Sequence, residues 1–357
     1  MKTNKLIRIA LLVGGVVFSN VMYAQDGVAE LAQFGPDASK LANAYLSPIF
    51  KGFGIGLNSG WANTAHSKNL GRFDIRFGMS GAIVPGKDKT FDINSLGLSS
   101  RLQPTDPAKT ITPTAAGSKT EGPLLTVRDD QGREIDEFRL PGGTNPPFIP
   151  APQLQATVGL IKGIDVSLRA IPTVNMGELG SINMIGGGVK VEILPLIAGK
   201  TAGKLLPFDV ALALGYTEVS FKKELDYTAP SGSPAVKDNQ QIEAKISGIN
   251  TQLILSKKLL VFTPFVAIGM NSSKTSGGLK GDYNVITGSN SVAGLPGTFT
   301  PKYETRTDPV TLDKKNFSAF RSDIGFQLNL AFLRLYASYS ASEYNSFNAG
   351  LGFGIGK

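Results

Sequence analysis

The chain of 357 residues carries 36 Lys and Arg against 28 Asp and Glu, with 42 Gly, one His, one Trp and no Cys. Absence of cysteine excludes disulfides, thiolate metal sites and a lipid-modified N-terminal Cys. The formal charge of +8 is a mild excess, and its basic residues are scattered without interleaved aromatics, so no nucleic-acid partner is expected.

Residues 1–24 read as a signal peptide. Lys2, Lys5 and Arg8 precede an apolar run from Ile9 to Phe18, and a polar break leads to Ala24 and Gln25. The run is too short to span a membrane as a helix. Loss of those three basic residues leaves +5 on the exported chain. Beyond residue 25 no apolar run reaches the length of a helical span, and Leu253–Met270 is broken by Lys257 and Lys258.

Residues 25–50 are the one stretch with a helical pattern. Pro36 and Asp37 suit a first turn, and Leu41, Tyr45 and Ile49 share a face before Pro48 disrupts the pattern. This segment is either a short periplasmic helix or a plug in a barrel mouth. Strand patterns begin at Lys51 and run to residue 357: Gly52–Asn58, Phe73–Val84 and Phe91–Arg101 come first. In the second of these, Phe73, Ile75, Phe77, Met79 and Ile83 oppose Asp74, Arg76, Gly78 and Ser80.

A long loop over 102–152 follows, rich in Pro, Thr, Gly and charge, with a small hairpin around Leu124–Val127 and Glu134–Leu140. Leu154–Ile161 and Ile164–Val174 form a tight hairpin, and Ser181–Leu194 is a strand in which Gly186–Gly188 marks a bend or bulge. Leu196–Leu206 is a short connection. Phe208–Phe221, Gln241–Leu255 and Leu259–Asn271 complete the middle, with Pro264 predicting a local irregularity. A second long loop covers 272–316.

The last forty residues alternate apolar and polar with almost no error in Phe317–Leu330, Leu333–Ser342 and Phe347–Gly356. Such strands fit a soluble sandwich or a membrane barrel. Strands of about ten residues favour the barrel, because sandwich strands are usually shorter. The expected fold is therefore all-β: a membrane-spanning antiparallel up-and-down barrel of about twelve strands, or fourteen if a hairpin in a long loop joins the wall. With both termini periplasmic, the turns at 162–163, 256–258 and 331–332 fall on the periplasmic side, and the loops at 59–72, 102–152, 224–240 and 272–316 fall outside. An exported, cysteine-free, glycine-rich strand protein points to the bacterial outer membrane, with its lipid as the surrounding partner.

The run from Leu41 to Pro48, Gly52-Phe53-Gly54, Leu57-Asn58-Ser59-Gly60-Trp61 and Gly71-Arg72-Phe73-Asp74 resembles an uncharacterised family of bacterial outer-membrane barrels. Leu206-Pro207-Phe208-Asp209, Gly215-Tyr216-Thr217, Tyr344-Asn345 and Gly350-Leu351-Gly352-Phe353 fit the same pattern. The resemblance implies an integral outer-membrane barrel and no activity. A more distant likeness, architectural only, is to outer-membrane transporters of long-chain fatty acids, which pair a plug with a barrel. Such barrels commonly end on an aromatic residue read by the barrel-insertion machinery, whereas this chain ends Phe353-Gly354-Ile355-Gly356-Lys357.

Catalytic chemistry finds little support. The sole histidine, His66, sits in a predicted loop without a nucleophile at a suitable spacing. Ala198-Gly199-Lys200-Thr201 lacks the first glycine of a phosphate loop, having Leu194 there. Gly52-x-Gly54-x-Gly56 and Gly350-x-Gly352-x-Gly354 read as strand interiors where missing side chains admit a plug or ligand. Asp282, Asp308 and Asp313 lack calcium-site spacing. No catalytic, cofactor or metal residue is assigned, and an enzyme is not expected. The inward charges Asp74, Arg76, Asp165, Arg169, Asp209, Arg321, Asp323 and Arg334 either brace a narrow lumen by pairing or line a constriction that sorts solutes. Function is accordingly expected to be passive passage of a small or hydrophobic solute, with lipid solutes included, or alternatively a non-transporting barrel working through its long loops.

Overall fold

The computed structural model describes residues 34, 36–129, 131–161, 163–194, 207–237, 239–291 and 299–355. The signal segment and the connection expected at Leu196–Leu206 fall outside the described residues. Helix α1 (Pro36–Leu57) comes first. Strand β1 (Phe73–Ala82) is followed by five short strands: β2 (Thr90–Asp92), β3 (Leu102–Pro104), β4 (Ile111–Pro113), β5 (Leu124–Arg128) and β6 (Glu134–Arg139). Then come β7 (Ile149–Ile161), β8 (Ile164–Asn175), β9 (Ser181–Glu192), β10 (Asp209–Glu224), β11 (Gln241–Ser256) and β12 (Phe262–Lys280). The chain ends with β13 (Asp282–Ser291), β14 (Phe299–Thr307), β15 (Val310–Leu330), β16 (Leu333–Ala341) and β17 (Ser346–Ile355).

Ten of these strands close an antiparallel barrel in the order β1-β17-β16-β15-β12-β11-β10-β9-β8-β7. Each barrel strand pairs with its neighbour along the chain, and the seam between β1 and β17 runs in register from Phe73↔Ile355 to Ala82↔Ser346. The exposed and buried faces are inverted relative to a soluble protein. Ile75, Leu212, Leu214, Ile268 and Ile324 are exposed, whereas Asp74, Arg76, Arg169, Arg321 and Asp323 on the opposite face are buried. An apolar exterior around a polar interior is the pattern of a membrane barrel and excludes the sandwich.

The strand count differs from the expected twelve for a physical reason. Gly52–Asn58 is the last turns of α1 and the residue after it, and Phe91–Arg101 holds only short β2 and a 3-10 turn, so neither joins the wall. Hairpins do occur in the long loops, but β13 pairs only β14, and β5 pairs β3 and β6, all outside the barrel. The count therefore does not rise to fourteen. Of the bend or bulge expected at Gly186–Gly188, the bulge is absent, since those residues keep unbroken register with β10. Pro264 likewise pairs in register with Phe326, and the irregularity of β12 lies at Ser273/Lys274.

The end of β7 and start of β8, the tight turn at 331–332, the 257–261 turn and the end of β17 share one end of the barrel; the described parts of the insertions between β1 and β7, β10 and β11, and β12 and β15 share the other. At the long-loop end β12 and β15 run to 19 and 21 residues, against 10 for β17. Helix α1 starts at this end, where Ser39 Oγ accepts from Thr311 N (3.0 Å) and Asp37 accepts from Ser99 N (3.0 Å) and Oγ (2.6 Å). The start of the helix therefore lies at the end opposite to the end of β17; the N-terminus, expected on the short-turn side, falls outside the described residues.

The helix continues through Pro48 for 22 residues, about 33 Å at ~1.5 Å per residue. Residues 59–72, expected as an outer loop, instead run down the lumen to the short-turn end, where Gly71 N donates to Gly159 O (2.9 Å). Glycines let this segment fit. A Cβ on Gly215 would lie 2.4 Å from the Trp61 ring and one on Gly188 2.6 Å from it, whereas one on Gly187, facing outward, would meet nothing. Gly215→Val is expected to lower unfolding free energy by at least ~1–3 kcal/mol through overpacking; Gly187→Val should leave it unchanged. Urea unfolding of the detergent-solubilised protein measures both.

Candidate functional site: a lumen filled by the N-terminal segment

The plug is residues 36–72, and its contact with the wall is close-packed at the top. Positions Gly52, Gly54 and Gly56 of α1 face Ile149, Ser273 and Ala151, where a Cβ would come within 2.7, 2.2 and 2.5 Å. Leu41, Ile55 and Leu57 are buried in the same apolar cluster as Ile149, Phe317 and Val310. A polar clamp fixes the helix to the rim. Lys51 Nζ meets Asp88 Oδ2 (2.9 Å) and Glu343 Oε1 (3.2 Å), and Tyr344 Oη donates to Asp88 Oδ2 (2.6 Å). Burial opposes ionisation of Asp88, but hydrogen bonds from Tyr344 and Lys51 outweigh it and hold its carboxyl below 3.8.

Below Leu57 the plug has no regular structure, so its backbone carbonyls need donors from the wall. Arg169, fully buried on β8, donates from Nη1 to Leu57 O (2.7 Å), from Nη2 to Ser59 O (2.8 Å) and from Nε to Gln155 Oε1 (2.9 Å). Its guanidinium lies 3.9 Å from the centroid of Trp61, a stacked cation–π contact. On β1, Arg76 Nη2 donates to Trp61 O (2.9 Å). On β15, Arg321 Nη1 donates to Ser59 Oγ (3.1 Å), while its Nη2 and Nε bind Asp323 Oδ1 (2.7 and 2.8 Å). Gln252 and Ser340 also donate to Asp323.

Of the charges expected in the lumen, Asp74, Arg76, Asp165, Arg169, Arg321 and Asp323 are buried there, and the Arg334 side chain is 12% exposed. Arg334 sits opposite Asn329 in register, as the turn dictates, and pairs across the seam with Asp74 (2.9 Å) instead of with Asp323. Asp209 lies at the rim of the short-turn end. The sequence reading missed Lys68, Lys190, Glu192 and Trp61. Lys68 Nζ meets Asp74 (3.3 Å), and Lys190 meets Asp165 (3.0 Å) and donates to the carbonyls of Thr64 (3.1 Å) and His66 (2.7 Å). The alternation Val189-Lys190-Val191-Glu192 carried that signal.

At the short-turn rim, Ser67 N and Oγ donate to Glu192 Oε2 (2.9 and 2.5 Å). Facing it, His66 Nδ1 lies 3.8 Å from Glu192 Oε1 and 3.7 Å from Asp209 Oδ1. The facing carboxylates of Asp209 and Glu192 outweigh burial and push the imidazole up to about 9.

The profile of a family of unknown function, DUF6588, matches residues 1–355. The chain belongs to this family. No curated protein matches this chain. Among solved structures, its fold is similar to the outer-membrane protease OmpT from Escherichia coli, at 8% identity and TM-score 0.30, covering 84% of this chain and 100% of that one. It is also similar to Ail, the attachment invasion locus protein of Yersinia pestis, at 8% identity and TM-score 0.24, covering 80% and 99% of the two chains. The translocator domain of autotransporter NalP from Neisseria meningitidis matches at 8% identity and TM-score 0.27, covering 91% and 99%. These likenesses concern the barrel fold alone and do not single out fatty-acid transport.

Two outcomes follow for this DUF6588 barrel. Arg169→Ala leaves the carbonyls of Leu57 and Ser59 without their donor, at ~1–3 kcal/mol each, so urea unfolding should show a loss of at least ~2 kcal/mol. Because the Asp88 carboxyl is depressed when folded, its contribution is present above the ordinary 3.8 and is lost as pH falls through the folded value. Asp88→Asn should thus cost about 1 kcal/mol at pH 7 and progressively less as pH falls below 3.8, read from melting across that range.

Proposed function

We propose that this protein is an integral barrel of the bacterial outer membrane that is closed at rest by its own N-terminal segment and works as a surface-interaction protein through its long-loop end. The observation that carries this reading is the filled lumen: the wall's buried Arg76 and Arg169 are engaged with plug carbonyls, Arg321 with the Ser59 hydroxyl, and Leu57, Asn58, Ser59 and Trp61 are at most 4% exposed. The luminal charges then brace the plug. They do not line an open constriction. The long-loop end supports the surface role, because the 83–148 insertion, with its two small sheets, and the β13–β14 hairpin stand on that rim.

A second reading, passage of a small solute after plug movement, is favoured by one feature. Below Leu57 the plug meets the wall through hydrogen bonds and ion pairs, which entering water can replace. Planar-bilayer recording separates the two. The intact protein is expected to show no steady conductance; an open channel at rest would refute the closed barrel, and brief openings induced by a solute would favour the second reading.

Sidedness and location are tested with single cysteines in a chain that has none. On intact cells a membrane-impermeant maleimide should label Ser231→Cys in the 225–240 loop and spare Lys258→Cys at the short-turn end. Labelling of both or neither, or recovery in the soluble periplasmic fraction, would contradict the proposed location.

A further inference from the structure

At the short-turn rim the plug brings the chain's one histidine against two carboxylates of the wall. His66, Glu192 and Asp209 each offer a ligand atom within 4.8 Å of those of the other two, and His66 Nδ1 lies 3.8 Å from Glu192 Oε1 and 3.7 Å from Asp209 Oδ1. Donor atoms bound to one ion at ~2.0–2.2 Å stand roughly 3–3.7 Å apart, so small side-chain rotations close this set around a cation. We infer that His66, Glu192 and Asp209 form a binding site for a divalent transition ion of the zinc type, which ties the plug to the mouths of β9 and β10.

The surroundings favour this use of the three groups. Glu192 engages Ser67 through Oε2, which leaves Oε1 directed at the imidazole. Lys190 Nζ holds the His66 carbonyl at 2.7 Å and so fixes the backbone that presents the ring, while its own charge is matched by Asp165 at 3.0 Å. The His66 N–H donates to Thr64 Oγ1 (3.2 Å), which shares a hydrogen bond with Ser256 Oγ (3.3 Å) on the wall. The ring itself is 57% exposed, giving an ion a route in and room for water as a further ligand. One imidazole with two carboxylates suits zinc-like ions better than magnesium or calcium, which prefer all-oxygen cages. The sequence offered no such spacing, because its members come from positions 66, 192 and 209 and meet only when the plug is seated.

The binding claim stands on the cluster; its consequence for the plug rests on the closed-barrel reading. The test uses untagged, full-length protein in detergent, stripped with chelator and titrated with ZnCl2 by calorimetry, alongside MgCl2 and CaCl2. Expected is one zinc per chain, binding at least a hundredfold tighter than either control ion, with His66→Ala and Asp209→Asn each weakening it tenfold or more. Lack of saturable zinc binding by the parent, or unchanged affinity in both variants, overturns the site. Zinc should also raise the melting temperature of the parent and of neither variant. One-to-one binding that depends on these residues without a melting shift would keep the site and refute its role as a tie between plug and wall.

Discussion

Everything in this barrel depends on satisfying polar groups in a lumen too crowded for bulk water. A buried carbonyl or guanidinium without a partner costs as much as a lost hydrogen bond or more. The irregular part of the plug exposes carbonyls, and the wall supplies guanidinium groups. Arg169 is the clearest case, since it takes two plug carbonyls at once and lies against Trp61. Neither partner would be stable there alone: the arginine would be a bare buried charge and the strand of plug would carry orphan acceptors.

The glycines supply the space that these contacts need. Trp61 occupies the room left by Gly188 and Gly215, and Asn58 fills that left by Gly248. Across the seam, Tyr336 Oη would lie 2.3 Å from a Cβ on Gly78 or on Gly350. Because residue 72 leads straight into β1, and β1 closes the barrel against β17, seating the plug and sealing the seam are steps of one assembly.

The period-two alternation made the wall legible in the sequence, since an apolar outer face and a polar inner face leave a clear mark on β1, β7, β8, β10 and β15. It misled at Gly52–Asn58, where Phe53, Ile55 and Leu57 alternate with glycine and read as a strand. In a helix each of those glycines costs ~1 kcal/mol relative to alanine, a cost offset here by close approach to Ile149, Ser273 and Ala151. Tertiary packing thus overrode local preference. The luminal charges on strands could be read from their parity, as with Arg169 and Arg321. Those on the plug could not, because His66 and Lys68 belong to a segment with no period, and its place inside the barrel is a fact of topology.

The claim that residues 36–72 occupy the lumen can be tested through Trp61, the sole tryptophan, which is 4% exposed. Iodide quenching of the intact, folded protein in detergent reads its accessibility directly. The account predicts near-complete protection in the native state and free quenching after unfolding in urea; strong quenching in the native state would place the segment outside the barrel and contradict it.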